Sequence, residues 1–123
     1  MATICQTLLK FAMLAILGCS SAGVYAQKMR IHLIDVGQGA ATLIEFPCAA
    51  VLVDTGGEAN KANNFHSTDA LLAYMDTFFA RRSDLNKTLA SLVITHSHVD
   101  HTRGIQKVIE RFRVLNVTTN GQY

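Results

Sequence analysis

The feature that most limits the fold of this chain is a dense cluster of metal-binding residue types behind an apolar stretch. His96, His98, Asp100 and His101 fall within six residues and hold three of the five histidines in the chain. Zinc and similar metals prefer imidazole and carboxylate ligands. The apolar residues 89–95 in front of the cluster predict a strand buried on both faces. For the cluster to bind a metal, the strand must therefore end at the cluster and the chain must change direction there.

The spacing within the cluster predicts how a metal would be held. Residues two apart at a strand end point to the same side of a sheet, so His96 and His98 are predicted to share one metal. Asp100 and His101 come at the start of the next helix and are predicted to reach a second metal. Two alternatives stay open: Asp100 is a helix N-cap, or the exposed loop binds metal adventitiously. Ser97 is disfavoured as a nucleophile because no separate acid completes a triad.

Three short apolar runs come before the cluster, and each is closed by turn residues. They cover residues 29–36, 41–46 and 50–54, and they end at Gly-Gln-Gly, at Pro47 and at Thr-Gly-Gly. Glycine and proline at this spacing predict a meander of adjacent antiparallel strands.

Two amphipathic helices are predicted from apolar residues at helical spacing. A polar loop over residues 58–67 leads to the first helix, with Ser67 or Thr68 as its cap. Arg81 and Arg82 at its end suit the helix dipole and are expected to be solvated. The apolar positions are Leu71, Leu72, Met75, Phe78 and Phe79 in the first helix, and Ile105, Val108, Ile109 and Phe112 in the second.

A fifth strand over residues 114–118 completes the predicted order of a meander, then helix, strand, helix, strand. This order predicts an α/β (α+β) fold, with a mixed sheet and helices on one face. His32 and His66 are each interpreted as structural or solvated.

The N-terminal stretch is predicted to be a signal peptide over residues 1–26, followed by a partial domain over residues 27–123. Lys10 precedes a short apolar run, and small residues lead to Ala26. The run is shorter than the roughly 20 residues that a membrane-spanning helix needs. The protein is therefore expected to be exported, to a periplasmic or extracellular location. A retained anchor, or a lipoprotein attached through Cys19, are the alternatives.

Three stretches resemble one family. The His-x-His-x-Asp-His pattern after an apolar strand resembles the metal-binding motif of the metallo-β-lactamase superfamily. Residues 51–56 resemble the family strand whose aspartate, here Asp54, supports the metal site from behind by hydrogen bonding. Residues 34–39 resemble the branch that contains the soluble domain of bacterial DNA-uptake competence proteins. Ala40 departs from that branch, which has an aspartate there.

The resemblance implies a fold, a cofactor and a reaction. The fold would be the N-terminal half of an αββα sandwich, and the cofactor one or two zinc ions, with Mn²⁺ or Fe as alternatives. The activity would be hydrolysis: a metal lowers the pKa of its bound water to about 7, and the hydroxide attacks a phosphodiester or an ester- or amide-type carbonyl. Asp100 would help to orient that water, which makes it the candidate catalytic residue.

A non-catalytic interpretation also stays open. The family takes its remaining ligands from later segments, whereas no histidine follows His101 in this chain and Glu110 is the only later carboxylate. The chain would then be a truncated fragment that binds metal weakly and needs missing residues or a partner chain. The expected substrate is a small molecule or a phosphodiester. A net charge of +2 does not support nucleic acid as a partner.

Overall fold

The computed structural model describes residues 28–57 and 65–121. The predicted signal peptide, its Cys19 alternative and most of the predicted polar loop lie outside these residues. Within the two described ranges, no helix is both long enough and apolar enough to cross a membrane.

The predicted meander is confirmed, with shorter strands. β1 (Arg30–Leu33), β2 (Thr42–Phe46) and β3 (Ala49–Val53) pair antiparallel, with Leu43 of β2 opposite Leu52 of β3. Both leucines are fully buried. Alternate residues of β2 and β3 are buried, as expected for a sheet with one covered face.

The second half of the sheet is parallel. β4 (Thr88–Leu89) and β5 (Ser91–Ile94) are followed, late in the chain, by β6 (Arg113–Val114) and β7 (Val117–Thr119). β5 pairs with β3 and β7 with β5, so the main sheet has the order β1-β2-β3-β5-β7. β4 and β6 form a separate two-stranded parallel sheet.

The single strand predicted over residues 89–95 is therefore wrong in two respects. The chain divides it between β4 and β5, which belong to different sheets. It is also not buried on both faces: Leu92 and Ile94 are buried, whereas Ser91 and Val93 are only partly covered. Helices cover one face of the sheet, and on the other face Leu33 is 82% exposed.

The helices follow the predicted apolar pattern. α1 (Ser67–Arg81) buries Leu71, Met75, Phe78 and Phe79, and a short 3-10 helix (Ser83–Leu85) follows it. α2 (Val99–Thr102) and α3 (Ile105–Arg111) stand where one helix was predicted. The mixed sheet with helices on one face confirms the predicted α/β class.

The predicted cap of α1 is wrong. The residue at the N-cap is His66, which makes no side-chain capping bond. Ser67 is already helical, and its hydroxyl donates instead to the carbonyl of Gly57. This bond ties the start of α1 to the segment that follows β3, which explains why the serine is buried.

The prediction that the end of α1 is solvated holds for Arg81, whose side chain is half exposed, but is wrong for Arg82, which is largely covered. Arg81 and Arg82 both donate to the carboxylate of Glu45, which β2 places on the buried face of the sheet. His32 lies 3.0 Å from the same carboxylate and 2.7 Å from the hydroxyl of Tyr74, so its structural interpretation is confirmed. The Arg81 hydrogen bond, which outweighs the opposing effect of burial, and further bonds from Arg82 and His32 lower the pKa of Glu45 to about 2.

Candidate metal centre

The candidate site forms where two parallel strands end side by side. β3 and β5 are neighbours, so the segments that follow them emerge at the same edge of the sheet. The backbone N–H of Asp54 donates to the carbonyl of Val93 at 2.8 Å, which holds the two segments together. The predicted ligands follow β5, and Asp54 follows β3.

Asp54 lies beneath the histidines and connects them to the sheet. Its backbone has a positive φ of 60° and its side chain is almost fully buried. One carboxylate oxygen accepts from the backbone N–H of Thr95 at 2.9 Å. The other accepts from the Thr95 hydroxyl and from His101 Nδ1, both at 2.8 Å. The structure thus brings Asp54 into the contact that its predicted supporting role requires.

These bonds explain the electrostatics of Asp54. Burial raises the pKa of a carboxyl, but here it is outweighed by the hydrogen bonds from His101 and Thr95, and the pKa is lowered from its ordinary value. Asp54 is therefore a carboxylate that can only accept hydrogen bonds, and His101 must present a proton on Nδ1 to it.

Three of the four predicted ligands converge. Ligand atoms of His96, Asp100 and His101 all lie within 4.8 Å of one another. Since Nδ1 of His101 carries the proton, its Nε2 has a free lone pair, and that atom faces Asp100 Oδ2 at 3.5 Å. This distance is longer than an N–H···O hydrogen bond. Two electron-pair donors facing each other across such a gap fit a cation between them, so the donor set suits a zinc ion.

His98 stands apart from this group. Its ring packs edge-on against that of His96 with centroids 4.7 Å apart, and it is exposed. It is also the N-cap residue of α2, where its carbonyl accepts from His101 and Thr102. The alternative of Asp100 as the cap is wrong, because Asp100 is the second residue of that helix.

The predicted pairs were His96 with His98 and Asp100 with His101. The observed group instead combines His96 with Asp100 and His101. β5 ends at Ile94, two residues before His96, so strand alternation no longer fixes the positions of the two histidines. The turn into α2 brings Asp100 and His101 back over the strand end beside His96. A role for His98 as a ligand stays a prediction.

Hydrogen bonds from Thr55 hold the backbone of His101 in place. Thr55 is fully buried, and its N–H and hydroxyl donate to the carbonyl of His101 at 2.8 and 3.0 Å. The same hydroxyl accepts from the N–H of Gly104 at 3.1 Å. Sequence reasoning treated Thr55 only as a turn residue.

Gly39 lets a second loop press against the cluster. It has φ +119°, and a Cβ there would lie 2.1 Å from the carbonyl oxygen of Asp100. The next residue, Ala40, donates its N–H to that oxygen at 3.2 Å. Only glycine fits this approach. The Gly-Gln-Gly sequence was the signal that could have shown it, since a glycine outside regular structure often marks close contact between backbones.

Comparison with known proteins agrees with this geometry. The family model described as the metallo-beta-lactamase superfamily matches residues 34–120, which include every residue of the candidate site. No curated protein matches the chain significantly. Proteins of the superfamily usually bind zinc, and the His-Asp-His group could hold a metal. Fold, site and family model together show that this chain belongs to the metallo-beta-lactamase superfamily.

Proposed function

We propose that this protein is a zinc-dependent hydrolase whose metal is held by His96, Asp100 and His101. The observation that carries the proposal is the convergence of these three ligand atoms within 4.8 Å. The hydrogen bond from His101 Nδ1 to Asp54 adds to it, because it leaves Nε2 of His101 free to bind the metal. The chain also belongs to the metallo-beta-lactamase superfamily, and this membership supports metal-dependent hydrolysis.

The site residues have distinct tasks in this proposal. A bound zinc ion would supply Lewis acidity and lower the pKa of a water to about 7. Three protein ligands suit a catalytic zinc, because they leave one position open. The side chain of Asp100 is 31% exposed, so it can reach a solvent water and orient it. Asp54 and Thr55 hold His101 from its side chain and from its backbone.

We extend the proposal to a second metal that would use His98. Support comes from its ring, which lies 4.7 Å from that of His96 on the exposed side of the cluster. Replacing His96 and His98 together by alanine should abolish specific zinc binding. His98→Ala alone should reduce two bound zinc ions per chain to one, whereas unchanged stoichiometry would remove His98 from the site.

The proposed substrates are phosphodiesters or compounds with an ester- or amide-type carbonyl. The competence-protein branch favours the first class. The stretch that resembles this branch, residues 34–39, ends at Gly39, directly against the backbone of Asp100. Ligands beyond His96, His98, Asp100 and His101 would come from other segments or from a partner chain. The net charge of +2 gives no support for nucleic acid.

A metal-binding role without turnover is the second candidate function. In residues 28–57 and 65–121, one group of side chains is arranged to hold a metal, and it has three members. That number suits a single zinc ion and leaves a dinuclear site incomplete. This candidate predicts zinc binding with no zinc-dependent hydrolysis.

One experiment separates the two functions. The full chain, loaded with zinc, would be assayed with bis(p-nitrophenyl) phosphate and with p-nitrophenyl acetate. A hydrolase should turn over one of them in a zinc-dependent way, and Asp100→Asn should remove that activity. Asp69→Asn, which changes an exposed aspartate of α1, is the matched control and should keep it. Zinc binding with no turnover of either probe would favour the non-catalytic role.

We also propose that the protein is exported after cleavage behind Ala26. The support is the pattern of residues 1–26. The intact mass of the native protein tests this, because cleavage predicts Gln27 as the first residue. A lipidated Cys19 at the N-terminus would indicate the lipoprotein alternative.

A further inference from the structure

The hydroxyl of Thr95 lies between the buried carboxylate and one of the candidate ligands. Its Oγ1 is 2.8 Å from Asp54 Oδ2 and 3.0 Å from His96 Nδ1. Thr95 is exposed, and it occupies the position between the last residue of β5 and the first histidine. Because Thr95 is exposed, packing in the hydrophobic core does not explain why its hydroxyl contacts both groups.

The positions of the protons follow from the chemistry of the three groups. A carboxylate accepts hydrogen bonds only, so the single proton of the Thr95 hydroxyl must point to Asp54. Towards His96 the same oxygen can then only accept. Nδ1 of His96 therefore carries the proton, and its Nε2 is left with a free lone pair.

The two histidines thus reach the same carboxylate oxygen by different routes. His101 Nδ1 donates to Asp54 Oδ2 directly at 2.8 Å and lies 3.5 Å from the threonine hydroxyl. His96 reaches that oxygen only through Thr95. Both imidazoles are left with a free Nε2, and their ring centroids lie 3.9 Å apart.

We propose that Thr95 is a positioning residue that passes the hydrogen bonding of Asp54 on to His96 and so fixes Nε2 of His96 as its metal-binding atom. This role depends on the proposed metal-binding function. The predicted proton position on His96, however, is a property of the metal-free protein and can be tested without metal. Thr95 would have no contact with the metal or the substrate.

The matched variants are Thr95→Val, which removes the hydroxyl and keeps the shape, and Thr95→Ser, which keeps the hydroxyl. Both retain the backbone N–H that Asp54 accepts. The first measurement is the ¹⁵N chemical shifts of the histidine ring nitrogens in the metal-free full chain, at about pH 8, where ordinary imidazoles are neutral. The second is zinc affinity, measured by competition with a chelator.

We expect the wild type and Thr95→Ser to show His96 protonated at Nδ1. In Thr95→Val the Nε2-protonated form of His96 should appear, while His101 keeps its proton on Nδ1 because its bond to Asp54 is direct. Loss of a residue that orients a ligand typically lowers metal affinity about 10–100-fold, and we expect a loss of this size in Thr95→Val but not in Thr95→Ser.

Retention of the Nδ1 proton on His96 in Thr95→Val would overturn the proposal, even if zinc affinity fell. A change at His101 as large as that at His96 would also overturn it, since a general disturbance of the site would then explain both. Thr95→Ala gives the same test if the valine variant does not fold. If the wild type bound no zinc, the proposed function would fail, and the proton positions would still decide the role of Thr95.

Discussion

Asp54 and Glu45 are the two acidic residues buried in the part of the chain that the structure describes, and they have opposite surroundings. The two residues are about equally buried: Asp54 is 2% exposed and Glu45 is 3% exposed. Glu45 is bound mainly by Arg81 and Arg82, which stay charged and only donate. Asp54 is bound by an imidazole and a hydroxyl, and each of these has another polar atom left over.

The difference shows how a buried carboxylate can either connect two elements of the fold or support the candidate metal site. Arg81 and Arg82, at the end of α1, and His32 of β1 bind Glu45, so its hydrogen bonds join the sheet to the end of the helix, away from the candidate ligands. The partners of Asp54 have polar atoms on their other side: His101 Nε2 faces Asp100 Oδ2 at 3.5 Å, and the Thr95 hydroxyl faces His96 Nδ1 at 3.0 Å. Asp54 thus organises the candidate site because the remaining polar atoms of its partners face the candidate ligands.

Glu45→Gln should give the largest effect on stability. The substitution removes the buried charge that Arg81, Arg82 and His32 bind, and the lowering of its pKa from 4.5 to about 2 predicts a loss of at most about 3 kcal/mol in the free energy of unfolding. Zinc affinity should not change, because the substitution lies outside the ligand cluster. Urea unfolding and a chelator competition measure the two quantities. A fall in zinc affinity would show that the two carboxylates are not independent.

The same residue predicts a dependence of stability on pH. Its pKa is lowered from 4.5 to about 2, so folding favours the charged form. The stabilisation from Glu45 should be complete above pH 4.5 and disappear as the pH falls through about 2, and it amounts to at most about 3 kcal/mol. The difference in unfolding free energy between wild type and Glu45→Gln should therefore shrink to nothing near pH 2. A constant difference would contradict this account.

Asp54→Asn should reverse the pattern. The amide would place a donor against His101 Nδ1 and favour the wrong proton position, so zinc affinity should fall about 10–100-fold. Stability should fall by about 2 kcal/mol, the value of a hydrogen bond to a charged group, and so by less than in Glu45→Gln. Glu45→Gln is the matched control, since both variants turn a buried carboxylate into an amide. Equal effects of the two variants on zinc affinity would remove the distinction between the regions.

Arg111→Ala should give the smallest effect. The side chain pairs with Asp76, but it is about half exposed, and solvent screening leaves exposed ion pairs with little effect on stability. Thermal unfolding compared with that of Glu45→Gln measures the contrast. A loss as large as that of the buried pair would show that burial does not decide the strength of these interactions.

Much of the fold could be predicted because short apolar runs and turn residues alternate so clearly. The glycines and Pro47 marked the ends of the first strands, and the apolar spacing marked α1. The division between β4 and β5 could not be predicted, because it depends on pairing with β6, far along the chain. Glu45 was missed although strand alternation places it on the same face as Leu43. Sequence alone does not say which long side chains will reach it.

For the candidate site, sequence identified which residue types would gather but not how they would be grouped. The spacing of His96 and His98 suggested a shared metal, yet the strand ends before either residue. The contacts of Thr55, Thr95 and Gly39 depend on three segments that meet only in the folded chain. Hydroxyls and glycines are common at turns, so their presence alone does not indicate contact with a metal site.

The most direct test of the central claim is a zinc titration of the full chain with His101→Ala beside His66→Ala. His101 belongs to the converging group, whereas His66 is an exposed histidine at the start of α1 and serves as the control. The account predicts that the wild type and His66→Ala bind zinc with the same stoichiometry and affinity, and that His101→Ala loses specific binding. Undiminished zinc binding by His101→Ala would contradict it.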